Sequence, residues 1–177
     1  MFPRLWEKHL ARATISCRGE LYLLQHDKEI AQVWRRLLQD LPVAFHPEAI
    51  AEMGSGECFV ISELLLHRYP QSSISLYDAR LPQLTDLHHK VLSVIVAHEN
   101  MDSEGQTLTL TRAGGSVRFG PRVSHRQEFF PSALHEEKCA GYYDLIVSHA
   151  VMEHVEEIGG CFRRLRNCLS PRGYMLH

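Results

Sequence analysis

Between Ala49 and Asp78 the chain passes through four short segments. They are an apolar stretch (Ala49-Ile50-Ala51), a turn bearing Gly54 and Gly56, an apolar helix from Cys58 to about Tyr69 closed by Pro70, and the alternating run Ile74-Ser75-Leu76-Tyr77-Asp78. Strand, helix and strand within about 30 residues make a βαβ unit, whose strands are parallel and whose sheet needs helices to cover it. The expected fold class is therefore α/β. Tyr143–Ser148 reads as another buried parallel strand. After it, Val151, Val155, Ile158, Phe162, Leu165 and Leu169 recur at steps of four and three, which predicts one long helix with a continuous apolar face. Arg163, Arg164 and Arg166 fall in its last turns, where the negative end of the helix dipole favours cations. Ser170-Pro171-Arg172-Gly173 is expected to turn the chain into a last strand starting at Tyr174.

Upstream, Ile30, Val33, Trp34, Leu37, Leu38 and Leu41 predict an amphipathic helix over Asp27–Leu41, capped by Asp27 and ended by Pro42. With a fainter helical pattern over Phe2–Ala13, it makes residues 1–46 an N-terminal helical extension of a domain spanning 47–177. Residues 83–127 read as an insertion. It holds a β-hairpin, Thr107–Thr111 against Val117–Phe119, followed by a loop. Arg112, Arg118, Arg122, Arg126 and His125 gather there with no acid between residues 112 and 126. This is either a solvated insertion or a surface that receives an anionic group.

The chain has 177 residues, enough for one domain with a sizeable core. Nineteen Lys and Arg against 21 Asp and Glu leave a net charge of −2, which argues against a surface built for nucleic acid or anionic lipid. Apolar runs such as 92–97 fall far short of the roughly 20 residues that span a bilayer. Arg4, Glu7, Lys8 and Arg12 break any apolar leader at the N-terminus. A soluble, cytoplasmic protein is expected. The five cysteines form no CxxC pair and read as reduced, buried thiols; the 12 histidines show no HExxH spacing, and no metal is expected.

The chemistry concentrates in Glu52-Met53-Gly54-Ser55-Gly56-Glu57, between the first strand and the first helix of the βαβ unit. Glycines there let backbone approach a ligand, and the helix N-terminus behind them offers free N–H groups. Asp78, closing the second strand, is placed to accept hydrogen bonds from a ribose diol. A dinucleotide fingerprint starting at Gly54 would need glycine at position 59, which is Phe59, and Glu52 would repel a pyrophosphate. A cationic ligand without phosphate fits better.

With these features the sequence resembles the class I S-adenosylmethionine-dependent methyltransferases. The resemblance rests on the EMGSGE turn, on Asp78, and on YYDLIVSHAVMEHVEEIGGCFRRLRNCLSPRGYML, which is similar to that family's fourth strand, following helix and fifth strand. It implies a Rossmann-like three-layer sandwich with a mostly parallel sheet. It implies S-adenosyl-L-methionine as cofactor and a small molecule as methyl acceptor. Glu52, Gly54, Ser55 and Gly56 would then hold the methionine end and Asp78 the ribose. Glu128 would contact the adenine, Ser148 and its neighbours would border the methyl group, and His149 is the residue to test as a base. The family fold continues beyond a fifth strand, so the chain is expected to be a fragment, a shortened homologue, or one whose open sheet edge is covered by a second copy or partner chain. The alternative function is a methyltransferase-like binding or assembly module without catalysis.

Overall fold

A computed structural model describes residues 29–55, 59–78, 111–113, 116–128 and 139–177. Helix α1 covers residues 29–39. Then come β1 (Ala49–Met53), α2 (Val60–Arg68), β2 (Ser73–Asp78), β3 (Thr111–Ala113), β4 (Ser116–Arg118), β5 (Val123–Gln127) and β6 (Tyr143–Ser148). A single 3₁₀ turn (Met152–His154), α3 (Ile158–Cys168) and β7 (Leu169–Leu176) complete the order.

Five strands form one sheet in the order β5-β2-β1-β6-β7. Its neighbouring strands are all parallel. From β1 the chain builds outward through β2 to β5, then returns to lay β6 on the other side of β1. The sheet thus switches direction between β1 and β6, and in open α/β sheets ligands bind at such a point, beyond the carboxyl ends of the strands.

Side chains alternate across a strand, so each strand feeds two cores. Ile50, Ile74, Leu76, Leu145 and Val147 face α1 and α2, where they pack with Trp34, Leu38, Phe59, Leu65 and Leu66. Ala51, Met53, Tyr77, Tyr143 and Ile146 face α3 and pack with Cys161, Leu165 and Cys168. This is the expected three-layer α/β arrangement. Helix α2 is buried from Val60 through Leu66, including Ser62 and Glu63. Within α1, Ala31, Trp34 and Leu38 are buried, as is Leu41 beyond it, whereas Val33 is exposed. The Asp27 cap lies outside the described residues.

Four expectations are corrected. Residues 123–127 are not loop at the end of an insertion: they form β5, paired in register with β2 from Ile74↔Val123 to Asp78↔Gln127. The strand was hidden by Arg126 and His125, and it is one of the two outer strands of the described sheet, where charged side chains keep an edge from pairing further. The expected hairpin is present in shifted form, with β3 antiparallel to β4; residues 107–110 lie outside the described part.

The long helix after β6 is interrupted. Val155 is extended, and α3 begins only at Ile158, after Glu157 has capped it by accepting the Gly160 N–H at 2.8 Å. Its buried face is Gly160, Cys161, Leu165 and Cys168, while Ile158 and Phe162 are exposed. The Ser170–Gly173 turn is instead an irregularity within β7. Tyr143 pairs with Leu169 and Leu145 with Tyr174, so the extra β7 residues bulge out. Asp144 secures this region: one carboxylate oxygen accepts the Ser170 hydroxyl at 2.9 Å and the other accepts the Glu48 N–H at 2.9 Å.

Last, Cys139 and Cys168 are joined as a disulfide and are not separate thiols. The end of α3 packs against the segment before β6 and brings together two cysteines 29 residues apart, a juxtaposition that spacing alone does not reveal. Cys161 is a buried free thiol; Cys17 and Cys58 lie outside the described residues.

Candidate functional site at the carboxyl edge of the sheet

Glu52 is the last but one residue of β1, in register with Leu76 on one side and Val147 on the other. Alternation turns it toward α2, where Ser62 donates a hydrogen bond to its carboxylate. It is buried to 1% exposure. That burial pushes its pKa up to about 8; the Ser62 hydrogen bond opposes the shift and the charge of Asp78 adds to it. The group is therefore largely protonated at neutral pH, and a cation arriving nearby would draw it into its charged form.

Gly54 follows β1 with φ +70°, a conformation costly for residues with a side chain. Its N–H donates to the Tyr77 carbonyl at 2.7 Å, which ties the turn to β2. A Cβ here would lie 2.2 Å from Val151 Cγ2, so the turn also lies directly against the segment leaving β6. Ser55 is buried, and its hydroxyl has no hydrogen-bond partner among the described residues. Gly56 lies outside them. Phe59, where a dinucleotide site would have glycine, is itself left-handed (φ 52°) and packs its ring into the core.

Asp78 closes β2 beside Gln127 of β5. Its charge acts on Glu52 and also on His125, whose pKa is lowered by desolvation and partly restored by Asp78. Glu128 comes immediately after β5 and is half-buried. At the end of β6, Ser148 is buried and its Oγ lies 2.7 Å from His177 Nδ1. His149 follows, its ring edge-to-face with Trp34 of α1 at 6.3 Å. Glu52, Gly54, Ser55, Asp78, Glu128, Ser148 and His149 are thus all drawn to the carboxyl ends of four neighbouring strands.

Sequence reading missed His177, Gln127 and Val151. The signal for His177 was available only as a register: it follows Leu176, which pairs with Val147 just as Ser148 comes into position. Two residues of the basic segment have partners within the fold. Arg122 donates to the carbonyls of Pro70 and Ser72, and Arg126 lies over the Tyr77 ring at 5.8 Å. A cavity of about 430 Å³ beside them runs along β2 and β5 and is lined by Ser73, Tyr77, Arg122, Arg126, Tyr142 and Tyr143. Among the described residues there is no cluster of metal ligands, and no helix long and apolar enough to cross a membrane.

The parallel sheet, its strand order and the helices on both faces define an α/β protein of the Rossmann-like class. The chain belongs to the methyltransferase-domain family, whose model matches residues 24–177. Among solved structures it is similar to an O-methyltransferase family protein from Burkholderia thailandensis, with 11% identity, a TM-score of 0.51, and coverage of 93% of this chain and 42% of that one. A protein from Methanococcus maripaludis assigned as an S-adenosyl-L-methionine-dependent methyltransferase shares 15% identity over 90% of this chain and 62% of its own, with a TM-score of 0.48. Coclaurine N-methyltransferase, solved with N-methylheliamine and S-adenosylhomocysteine, shares 14% identity over 90% and 35%, with a TM-score of 0.44. The chain spans less than two thirds of the length of each. No curated protein sequence matches it.

Proposed function

We infer that the chain is an S-adenosylmethionine-dependent methyltransferase that transfers a methyl group to a small-molecule acceptor. The observation that carries this reading is the convergence of a left-handed Gly54, a buried Ser55 hydroxyl without a hydrogen-bond partner among the described residues, and two acids, Glu52 and Asp78, at the switch point of a methyltransferase-family sheet. The donor set suits the ligand. Asp78 offers acceptors to a ribose diol, Ser55 a hydroxyl to the polar end of an amino acid, and Glu52 a carboxyl that ionises when a cation is near. Glu128, half-buried just after β5, is the residue assigned to the adenine in this reading.

The cofactor, when bound, supplies an activated methyl group on a sulfonium. The protein's own work is alignment: a rigid strand end and turn hold one reactant while the ends of β6 and β7 present the other. His149, against Trp34, walls that end. The test is incubation with methyl-labelled S-adenosylmethionine and a panel of small hydroxyl, amine and thiol acceptors. Label transfer to one class supports the reading; cofactor binding without transfer to any would point to a binding or assembly module.

A further inference from the structure

We propose that the cavity along β2 and β5 is a binding site for a small aromatic carboxylate, separate from the site at the carboxyl edge of the sheet. The proposal stands on its own and does not need the methyltransferase reading. The cavity holds about 430 Å³, within the roughly 300–1,000 Å³ of small-molecule pockets. Alternation sends Ser75 and Tyr77 of β2 to the α3 face of the sheet, opposite to Glu52, which faces α2. Register sets Ser124 and Arg126 of β5 beside them. Tyr142 and Tyr143, where the chain enters β6, complete the lining. Their approach is fixed: Tyr142 donates its N–H to the Cys139 carbonyl at 3.0 Å, and Cys139 is tied to the end of α3 by the disulfide.

The lining is rich in donors, and no carboxylate stands among the described residues that form it. Arg126 is exposed and lies over the Tyr77 ring at 5.8 Å. Stacking on a ring leaves the in-plane N–H groups of a guanidinium to donate, and that fork matches the two oxygens of a carboxylate. Of the ionic side chains acting on Tyr77, Arg126 outweighs Glu128, so the field there is positive on balance. The Tyr77 and Tyr143 hydroxyls lie 2.6 Å apart; one donates to the other, and the accepting hydroxyl keeps its own proton for a ligand. Ser75 likewise accepts from Ser124 at 3.3 Å and keeps a proton to donate. Arg122, the other cation of the lining, is engaged by the carbonyls of Pro70 and Ser72. A single guanidinium fork suits a single negative charge, which favours a carboxylate over a phosphate dianion. The Tyr142 and Tyr143 rings, edge-to-face at 5.0 Å, and the Tyr77 ring offer aromatic surface to a flat body.

The test is an NMR titration of the full chain, ¹³C-labelled at its tyrosine rings, with benzoate, benzamide and inorganic phosphate, in the wild type, Arg126→Gln and Tyr142→Ala. Benzoate should saturate with a Kd of about 0.1–1 mM and shift the ring signals of Tyr77, Tyr142 and Tyr143. Benzamide, of the same shape without the charge, and phosphate, with charge but no ring, should each bind about tenfold more weakly or worse. Arg126→Gln should cost benzoate about tenfold and leave benzamide within about twofold, whereas Tyr142→Ala should weaken both alike. No saturation by benzoate below about 10 mM overturns the proposal, as does equal binding of benzamide or phosphate, or unchanged benzoate affinity in Arg126→Gln. Should Arg126→Gln fail to fold, the wild type decides: benzoate that binds without moving those three ring signals occupies another place, and the site falls. None of these readouts involves S-adenosylhomocysteine, so the methyltransferase reading stands or fails separately.

Discussion

The Ser62 hydroxyl donates to the Glu52 carboxylate where both side chains are shut off from water, one on α2 and the other near the end of β1. Burial lifts Glu52 to about 8 despite that hydrogen bond. The folded chain thus keeps a proton that the unfolded chain releases near 4.5, so this residue favours folding at low pH and loses that advantage as pH rises from about 4.5 toward 8. In this window the wild type should lose stability by up to about 1.4 kcal/mol per pH unit. Glu52→Gln should show a flatter dependence and be the more stable protein at pH 8. Thermal unfolding across that range checks it; parallel curves would show that Glu52 does not titrate as described.

Gly54→Ala faces two penalties, a left-handed backbone and a contact with Val151. Together they should destabilise the chain by about 2–4 kcal/mol. Adding Val151→Ala should restore the steric part only. Denaturant unfolding of both variants separates the two, and full recovery in the double variant would show that backbone conformation costs nothing here.

Asp78→Ala should weaken S-adenosylhomocysteine binding by about 1.5–3 kcal/mol if its carboxylate holds the ribose through charged hydrogen bonds. Equilibrium titration reads this directly, and unchanged affinity would remove Asp78 from the site.

The Cys139–Cys168 disulfide closes a loop that contains β6 and α3. For a separation of 29 residues, chain entropy gives a stabilisation of roughly 3.5 kcal/mol. Cys139→Ser should lower the unfolding midpoint under non-reducing conditions. Peptide mapping after alkylation should recover Cys139 linked to Cys168, with Cys161, whose thiol is buried and pushed up in pKa, modified only on unfolding. Free alkylation of Cys139 and Cys168 in the folded chain would contradict the pairing.

Strand and turn chemistry carried most of the legible information. Tyr143–Ser148 was found with its observed boundaries, because a buried parallel strand is an apolar run and needs no partner to be recognised. The Glu52-to-Asp78 unit was legible for the same reason, together with its glycine turn. Strand β5 was not: Val123 and His125 turn one way and Ser124 and Arg126 the other, and the basic residues of an outer strand read as solvated loop. The helix after β6 was overextended because its spacing ignored Glu157, a capping acid that starts the helix at Ile158. Pairings across strands, Ser148 with His177 and Glu52 with Ser62, depend on register and layer order, which no local pattern contains.

The central claim is that the edge formed by Glu52, Gly54, Ser55 and Asp78 holds S-adenosylmethionine. Calorimetric titration of the folded chain with S-adenosylhomocysteine, with NADH as control, tests it most directly. Saturable micromolar binding of S-adenosylhomocysteine alone is the predicted result. A folded chain that binds neither, or binds NADH instead, would contradict it.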